Sequence, residues 1–317
     1  MKQQVLFYLF LFLASFVTSC TTDSTACEEW IINCEDTGIQ VDTSKSNRKV
    51  IIIGIDGVRS EAMTDEISPF LYEFSNRPTT YFTDRNLVER LTFSGPNWSS
   101  LLTGVHFCKH KVFDNKYSNN KLTEFPHFFN YIERANSSIV TASIVNWTPI
   151  NQYSAIAHAD HAPTSQITDQ GVFEIAQELL QNQNPMDPDV LFLHFDELDG
   201  AGHEFGYHPD VTEYANTLNS IDGYIQQLVA TIETKRANGE DWMIFIVSDH
   251  GGDGTGHSGG FDNEHIKHTI FYANHPTENF IQNHTSTQVD LVPTVLDFMG
   301  VISNEFNCKK DGISIML

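Results

Sequence analysis

Val50-Ile51-Ile52-Ile53-Gly54-Ile55-Asp56-Gly57 is a short, β-branched apolar run that stops abruptly at an aspartate. Similar runs recur at residues 139–145, 190–195 and 243–247. Helical patterns fall between them, at residues 172–180 and at residues 212–232, where Leu218, Ile221, Ile225, Leu228 and Ile232 return at three- and four-residue spacing. Short strands alternating with helices predict an α/β fold with a mostly parallel central sheet and helices on both faces. The apolar stripes are core positions.

Outward from this body, the chain of 317 residues is long enough for one large domain. Its formal charge of −23, with only 18 Lys and Arg, excludes tight binding to a nucleic acid, which needs clustered cations to displace counterions. At the amino end, Lys2 precedes an apolar run from Val5 to Val17 that closes in Thr18-Ser19-Cys20. This predicts a bacterial lipoprotein signal over residues 1–19, export, and a membrane anchor through lipidated Cys20. Residues 20–48 are rich in Thr, Ser, Asp and Asn, as a flexible tether would be, and a single catalytic domain is expected over residues 49–317. In an oxidising compartment Cys27, Cys34, Cys108 and Cys308 allow three pairings, of which Cys27 with Cys34 is the local choice.

Three strand ends carry ligand-type residues. The first run ends in Asp56, the third leads into Asp196-Glu197-Leu198-Asp199, and the fourth into Ser248-Asp249-His250. Open α/β sheets bind ligands at the carboxyl ends of their strands, so these groups are placed to converge. Asp199 and His203 stand four residues apart, a spacing that lets two side chains share one ion, and His257 follows His250 by seven residues. Carboxylate and imidazole without thiolate suit zinc, with manganese or iron as alternatives. Ser94, in Leu91-Thr92-Phe93-Ser94-Gly95-Pro96, precedes a helical pattern, where backbone amides favour anions. A serine there is either a helix cap or a nucleophile whose hydroxyl a metal acidifies.

In this order (Asp56, then Ser94 with a following Pro96 and Thr103-Gly104, then Asp199-x-x-x-His203, then Asp249-His250-Gly251, then His257) the segments resemble the alkaline phosphatase superfamily over roughly residues 49–300, and most closely its type I phosphodiesterase/nucleotide pyrophosphatase branch. The resemblance implies an alkaline-phosphatase-like fold and two divalent ions. Asp56, Asp249 and His250 would hold one, Asp199, His203 and His257 the other, with Ser94 between them. It also implies that Asn115, twenty-one residues after Ser94, hydrogen-bonds a phosphoryl oxygen. Ser94 replaces the Thr usual in this branch, Lys111 stands where the family commonly has Gly, and His257 comes early, with His265 and His268 in reserve.

The implied chemistry is hydrolysis of phosphate esters through a phosphoseryl intermediate, with Asn115 and the amide near Gly95 stabilising the transferred group. Monoesters carry an extra charge that a cation neutralises, and no Lys or Arg occurs between residues 135 and 234. Diesters or nucleotide pyrophosphates are therefore favoured over monoesters, although Arg59, Arg90, Lys109 or Lys111 could supply a cation. Trp98, Trp147 and Tyr153 are candidates for packing against a base or aryl group, or for the core. A sulfatase would need an Arg that Ser94-Gly-Pro-Asn-Trp98 lacks, a mutase an inserted domain before Asp199, and a non-catalytic binding protein should have lost a ligand.

Overall fold

The computed structural model describes residues 34–181 and 186–317; the signal segment, Cys20 and Cys27 lie outside them. The chain runs β1 (Ile39–Val41), β2 (Arg48–Ile55), α1 (Pro69–Ser75), β3 (Thr80–Leu87), α2 (Ser94–Thr103), α3 (Phe107–His110), α4 (Phe129–Ala135), β4 (Thr141–Val145), α5 (Asp169–Leu180), β5 (Val190–Phe195), α6 (Glu197–Phe205), α7 (Thr212–Ala237), β6 (Asp241–Val247), α8 (Glu264–Lys267), β7 (His268–Asn274), α9 (Leu291–Phe298), β8 (Val301–Ser303) and α10 (Asn304–Lys309).

Six strands form the central sheet in the order β3-β7-β6-β2-β5-β4. β2 pairs in parallel with β5 and β6, and β4 in parallel with β5, while β7 runs antiparallel to both its neighbours. Because side chains alternate across a strand, β2 feeds two cores at once. Ile51, Ile53 and Ile55 pack with Phe74, Leu179, Leu218 and Ile225 of α1, α5 and α7. Val50 and Ile52 face the other way, toward Trp98, Leu101, Phe129 and Leu296 of α2, α4 and α9. The helices thus cover both faces, and all three ligand-bearing strand ends open on one edge of the sheet.

The amino-terminal segment differs from the sequence expectation. Within the stretch read as tether, β1 pairs antiparallel with β8, Lys45 donates to the Asp297 carbonyl, and Cys34 is disulfide-bonded to Cys308. The local pairing of Cys27 with Cys34 is thereby corrected. The carboxyl-terminal α10 returns beside the start of the body, and this proximity in space, across 274 residues of sequence, decides the partner. No helix among the described residues is long and apolar enough to cross a membrane.

Candidate metal centre

β2 delivers Asp56 into a turn at Gly57, whose φ of 72° and whose approach to Asp199 leave no room for a side chain; a Cβ there would lie 2.8 Å from Asp199 Oδ1. β6 delivers Asp249 and His250 beside it, and the Gly57 amide donates to Asp249 Oδ1 at 3.2 Å. β5 leads through Asp196 into α6, where Asp199 and His203 lie one turn apart, with 3.4 Å between His203 Nε2 and Asp199 Oδ2. Asp169 organises that junction by accepting from the amides of Asp196 and Glu197. The loop after β6 returns His257, whose Nε2 is 3.2 Å from His203 Nε2 and 3.9 Å from Asp199 Oδ1. All six sequence-predicted ligands are therefore brought together. His265 and His268 are engaged elsewhere, with Glu61 and Glu264.

The three imidazoles share one orientation. His203 Nδ1 contacts the Thr255 carbonyl at 3.0 Å, His250 Nδ1 the Gly251 carbonyl at 2.9 Å, and His257 Nδ1 the Thr92 carbonyl. A carbonyl only accepts, so each Nδ1 carries a proton and each ring turns its Nε2 into the shared space. His250 Nε2 lies 3.2 Å from Asp249 Oδ2 and 3.5 Å from Asp56 Oδ1, and both of these buried oxygens lack a hydrogen-bond donor. Imidazole nitrogens set against carboxylate oxygens that lack a donor fit a divalent cation. Two overlapping triads form, Asp56-Asp249-His250 and Asp199-His250-His257. His250 thus lies against both predicted ligand sets, its ring stacked on His257 at 3.7 Å between centroids.

Electrostatics point the same way. Burial, then the charge of Asp199, pushes the Asp56 carboxyl well above the usual range. Burial, then Asp56 and Asp199, does the same to Asp249. Burial, then the neighbouring His257, holds His250 well below its ordinary value. A cation among the groups would relieve both carboxylate penalties, and a histidine held neutral keeps its Nε2 free to act as a ligand.

Ser94 is the first residue of α2, but Phe93 occupies the capping position and no side-chain cap bond is made. The Ser94 hydroxyl instead lies 3.4 Å from His250 Nε2, at the edge of the carboxylate and imidazole cluster. Asn115 reaches the same helix terminus, where its Oδ1 accepts from the Gly95 amide at 2.8 Å. The Gly95 amide, expected to face the transferred group, is thus spent on holding Asn115. Gly95 is needed for this approach, since a Cβ would lie 2.7 Å from the Asp114 carbonyl. Lys111, where the resemblance implied a glycine, has a left-handed φ of 57°.

Sequence reasoning missed several supports. Trp98 is fully buried and donates from Nε1 to Asp56 Oδ2 at 2.8 Å, which removes it from the substrate-packing candidates. Tyr207 donates its hydroxyl to Asp199 Oδ1, and His194 lies 3.2 Å from Asp56 Oδ2 through its Nε2. His194 and Asp196 sit in the quoted strand end, and their position beside Asp199 was the available signal. Of the other aromatic candidates, Tyr153 is half exposed and stacks on Tyr117 at 4.6 Å, while Trp147 packs at the same cluster. Among the candidate cations, Arg59 is tied to Glu61 and the Tyr207 carbonyl, Lys109 to Asp311, and Arg90 lies over the Phe261 ring.

A helix-covered, mostly parallel sheet with clustered carboxylates and imidazoles at its strand ends is an alkaline-phosphatase-like fold. Within it, the chain belongs to the type I phosphodiesterase/nucleotide pyrophosphatase family, whose profile matches residues 50–277. The family is one of phosphoryl-transfer enzymes. Murine ectonucleotide pyrophosphatase/phosphodiesterase 5 superposes with a TM-score of 0.63 at 14% identity, covering 80% of this chain and 96% of that one, and its inactive form has been solved in complex with AMP. The C-terminal periplasmic domain of EptC from Escherichia coli, in complex with Zn, gives a TM-score of 0.54 at 14% identity over 83% of this chain and 86% of that one. In sequence, GPI ethanolamine phosphate transferase 3 of Eremothecium gossypii is 28% identical over 150 residues, 42% of this chain. The match takes in 14% of that relative's length.

Proposed function

We propose that the protein is an exported two-metal hydrolase of phosphodiesters or nucleotide pyrophosphates that works through a phosphoseryl intermediate on Ser94. The carrying observation is the pair of Nε2 atoms of His203 and His257, 3.2 Å apart, each ring oriented toward the other by its Nδ1–H bond to a main-chain carbonyl. Asp56, Asp249 and His250 would hold one divalent ion, zinc or else manganese or iron, and Asp199, His203 and His257 a second. Such ions, when bound, supply Lewis acidity and a lowered hydroxyl pKa.

The chain's own groups then have distinct tasks. Ser94 Oγ attacks phosphorus, forming a serine phosphoester as the bond to the leaving alcohol or nucleotide breaks. Water then attacks the phosphoserine, which restores Ser94 and releases the phosphorylated product. Asn115, its carbonyl held by the Gly95 amide, keeps its amide hydrogens for an equatorial phosphoryl oxygen. Tyr207 and Trp98 fix Asp199 and Asp56 so that their remaining oxygens stay on the site. Arg59 and Lys109 are occupied in ion pairs, which supports a substrate whose spare oxygen is already esterified. The half-exposed Tyr153 on Tyr117 offers an aromatic face for a base or aryl group. The lipid anchor at Cys20 and the tether remain part of this reading, narrowed by the pinning of residues 39–48.

The test compares turnover of p-nitrophenyl phosphate, its bis-ester, a nucleoside-monophosphate p-nitrophenyl ester and p-nitrophenyl sulfate. The two diesters should be fastest. Preference for the monoester or the sulfate would reassign the branch, and no turnover by a metal-loaded protein would make it a binding protein. The likeness to an ethanolamine phosphate transferase motivates a second arm in which an added amino alcohol competes with water for the phosphoserine.

A further inference from the structure

Asn115 is carried to Gly95 by a loop, residues 111–120, whose backbone is under strain. Lys111, Tyr117 and Asn119, the non-glycine residues of positive φ among those described, all fall in it, at 56° or 57°. A loop so built keeps its shape only where its surroundings over-determine it. His110, the last residue of α3, supplies that constraint. Its carbonyl accepts from the Lys121 amide at 2.7 Å, which closes the loop, and its Nδ1 accepts from the Val112 amide at 3.1 Å, which fixes the first turn. The ring is entirely buried and is held neutral by that burial and by the nearby His106. With Nδ1 an acceptor, the single proton sits on Nε2 and is donated to Ser100 Oγ at 2.9 Å. Ser100 donates in turn to Glu89 Oε1 at 2.7 Å, and the same buried oxygen accepts from His106 Nδ1 at 2.8 Å. The Glu89 end serves Ser94. The Glu89 amide donates to Asn97 Oδ1 at 2.8 Å, while Asn97 Nδ2 donates to the carbonyls of Leu91 and Phe93, just ahead of Ser94. The segment that brings Ser94 and the loop that brings Asn115 are thus joined through one buried hydroxyl on α2.

We propose that, with Ser94 as nucleophile and Asn115 as donor to the phosphoryl oxygen, the reading on which this rests, His110 is a positioning residue that fixes Asn115 relative to Ser94 through Ser100 and Glu89. It acts from inside the protein, through Asn115 alone. A donor to a developing charge tolerates little displacement, since a shift of about 1 Å costs about 100-fold in rate. Cutting the relay releases the strained loop and lets Asn115 drift from the transferred group, with the ion ligands left in place.

The experiment is a double-mutant cycle on the metal-loaded full chain with bis-p-nitrophenyl phosphate as substrate, bound metal and the urea midpoint being measured for every variant. His110→Ala should lower kcat about 10-fold or more, with KM and metal content near wild type. The same substitution made in Asn115→Ala should lower kcat no further. His110→Gln, which keeps a side-chain N–H for Ser100, should recover part of the loss. Ser100→Ala, which removes a single oxygen, repeats the cycle if His110→Ala fails to fold. An equal loss of kcat in both backgrounds makes His110 merely structural, an unchanged kcat removes it from the site, and a Gln variant as poor as Ala breaks the link to Ser100. Each of these overturns the proposal and leaves Ser94 and Asn115 in their roles. A wild type inert to the diester, or Asn115→Ala as active as wild type, overturns the underlying reading and the proposal together.

Discussion

His203 and His257 meet through their Nε2 atoms, 3.2 Å apart, while each ring's Nδ1 is bound to a main-chain carbonyl. Two imidazole nitrogens so arranged suit a cation held between them. Chelation should therefore lower thermal stability as well as abolish turnover. His257→Ala should weaken metal binding by at least about 100-fold, since even outer supports of a ligand are worth 10–100-fold. Titration calorimetry of the apoprotein checks this, and His265→Ala serves as the control that should change nothing.

Ser94→Ala should eliminate diester turnover while leaving stability within about 0.5 kcal/mol of wild type, because Ser94 makes no capping bond. Thermal unfolding and steady-state kinetics of the same sample separate the two effects. A loss near 1 kcal/mol with activity retained would make Ser94 a structural residue after all.

Gly95→Ala places a methyl against the Asp114 carbonyl and Asn115. It should reduce kcat by about 100-fold or more, the scale of losing one donor to a developing charge, with metal content unchanged. Asn115→Ala should match it, and the double variant should be no worse than either alone.

Reduction of Cys34–Cys308, or Cys308→Ser, should destabilise the protein by roughly 2–5 kcal/mol through release of a very long loop. Urea unfolding with and without reductant measures it. Turnover by the molecules that remain folded should be unaffected, because the bond pins the amino-terminal segment and not the strand ends.

Burial, then the nearby His106, holds His110 at about 3, below the ordinary 6.5. The unfolded chain takes up a proton below pH 6.5 that the folded chain refuses until about pH 3, so stability is complete above 6.5 and falls as pH drops through that window. The slope for one group is about 1.4 kcal/mol per pH unit. His110→Gln should flatten the wild-type dependence of the urea midpoint between pH 6.5 and 4 by that amount.

The ligand-bearing strands are plain in the sequence because β2, β5 and β6 are apolar at nearly every position and stop at Asp or His. β3 and β7 are not. β3 mixes Thr, Asp, Arg and Asn into an edge strand with an irregularity between Thr83 and Asn86, and β7 begins directly after the four-residue α8. Asp199 and His203 announce themselves by spacing, whereas Trp98 and Tyr207 act through side-chain hydrogen bonds from positions that read as ordinary core. Lys111, where the resemblance led us to expect a glycine, adopts a left-handed backbone that the residue type conceals. Lys111→Gly should for that reason be stabilising by about 1 kcal/mol.

The docking of β1 on β8 also gives the molecule a front and a back. Residues 39–48 join the body where β2 begins, and the strand ends open where β2 finishes, about 26 Å away for eight extended residues. A chain anchored by its amino end, as proposed, would thus be gripped from behind, with its strand ends turned outward.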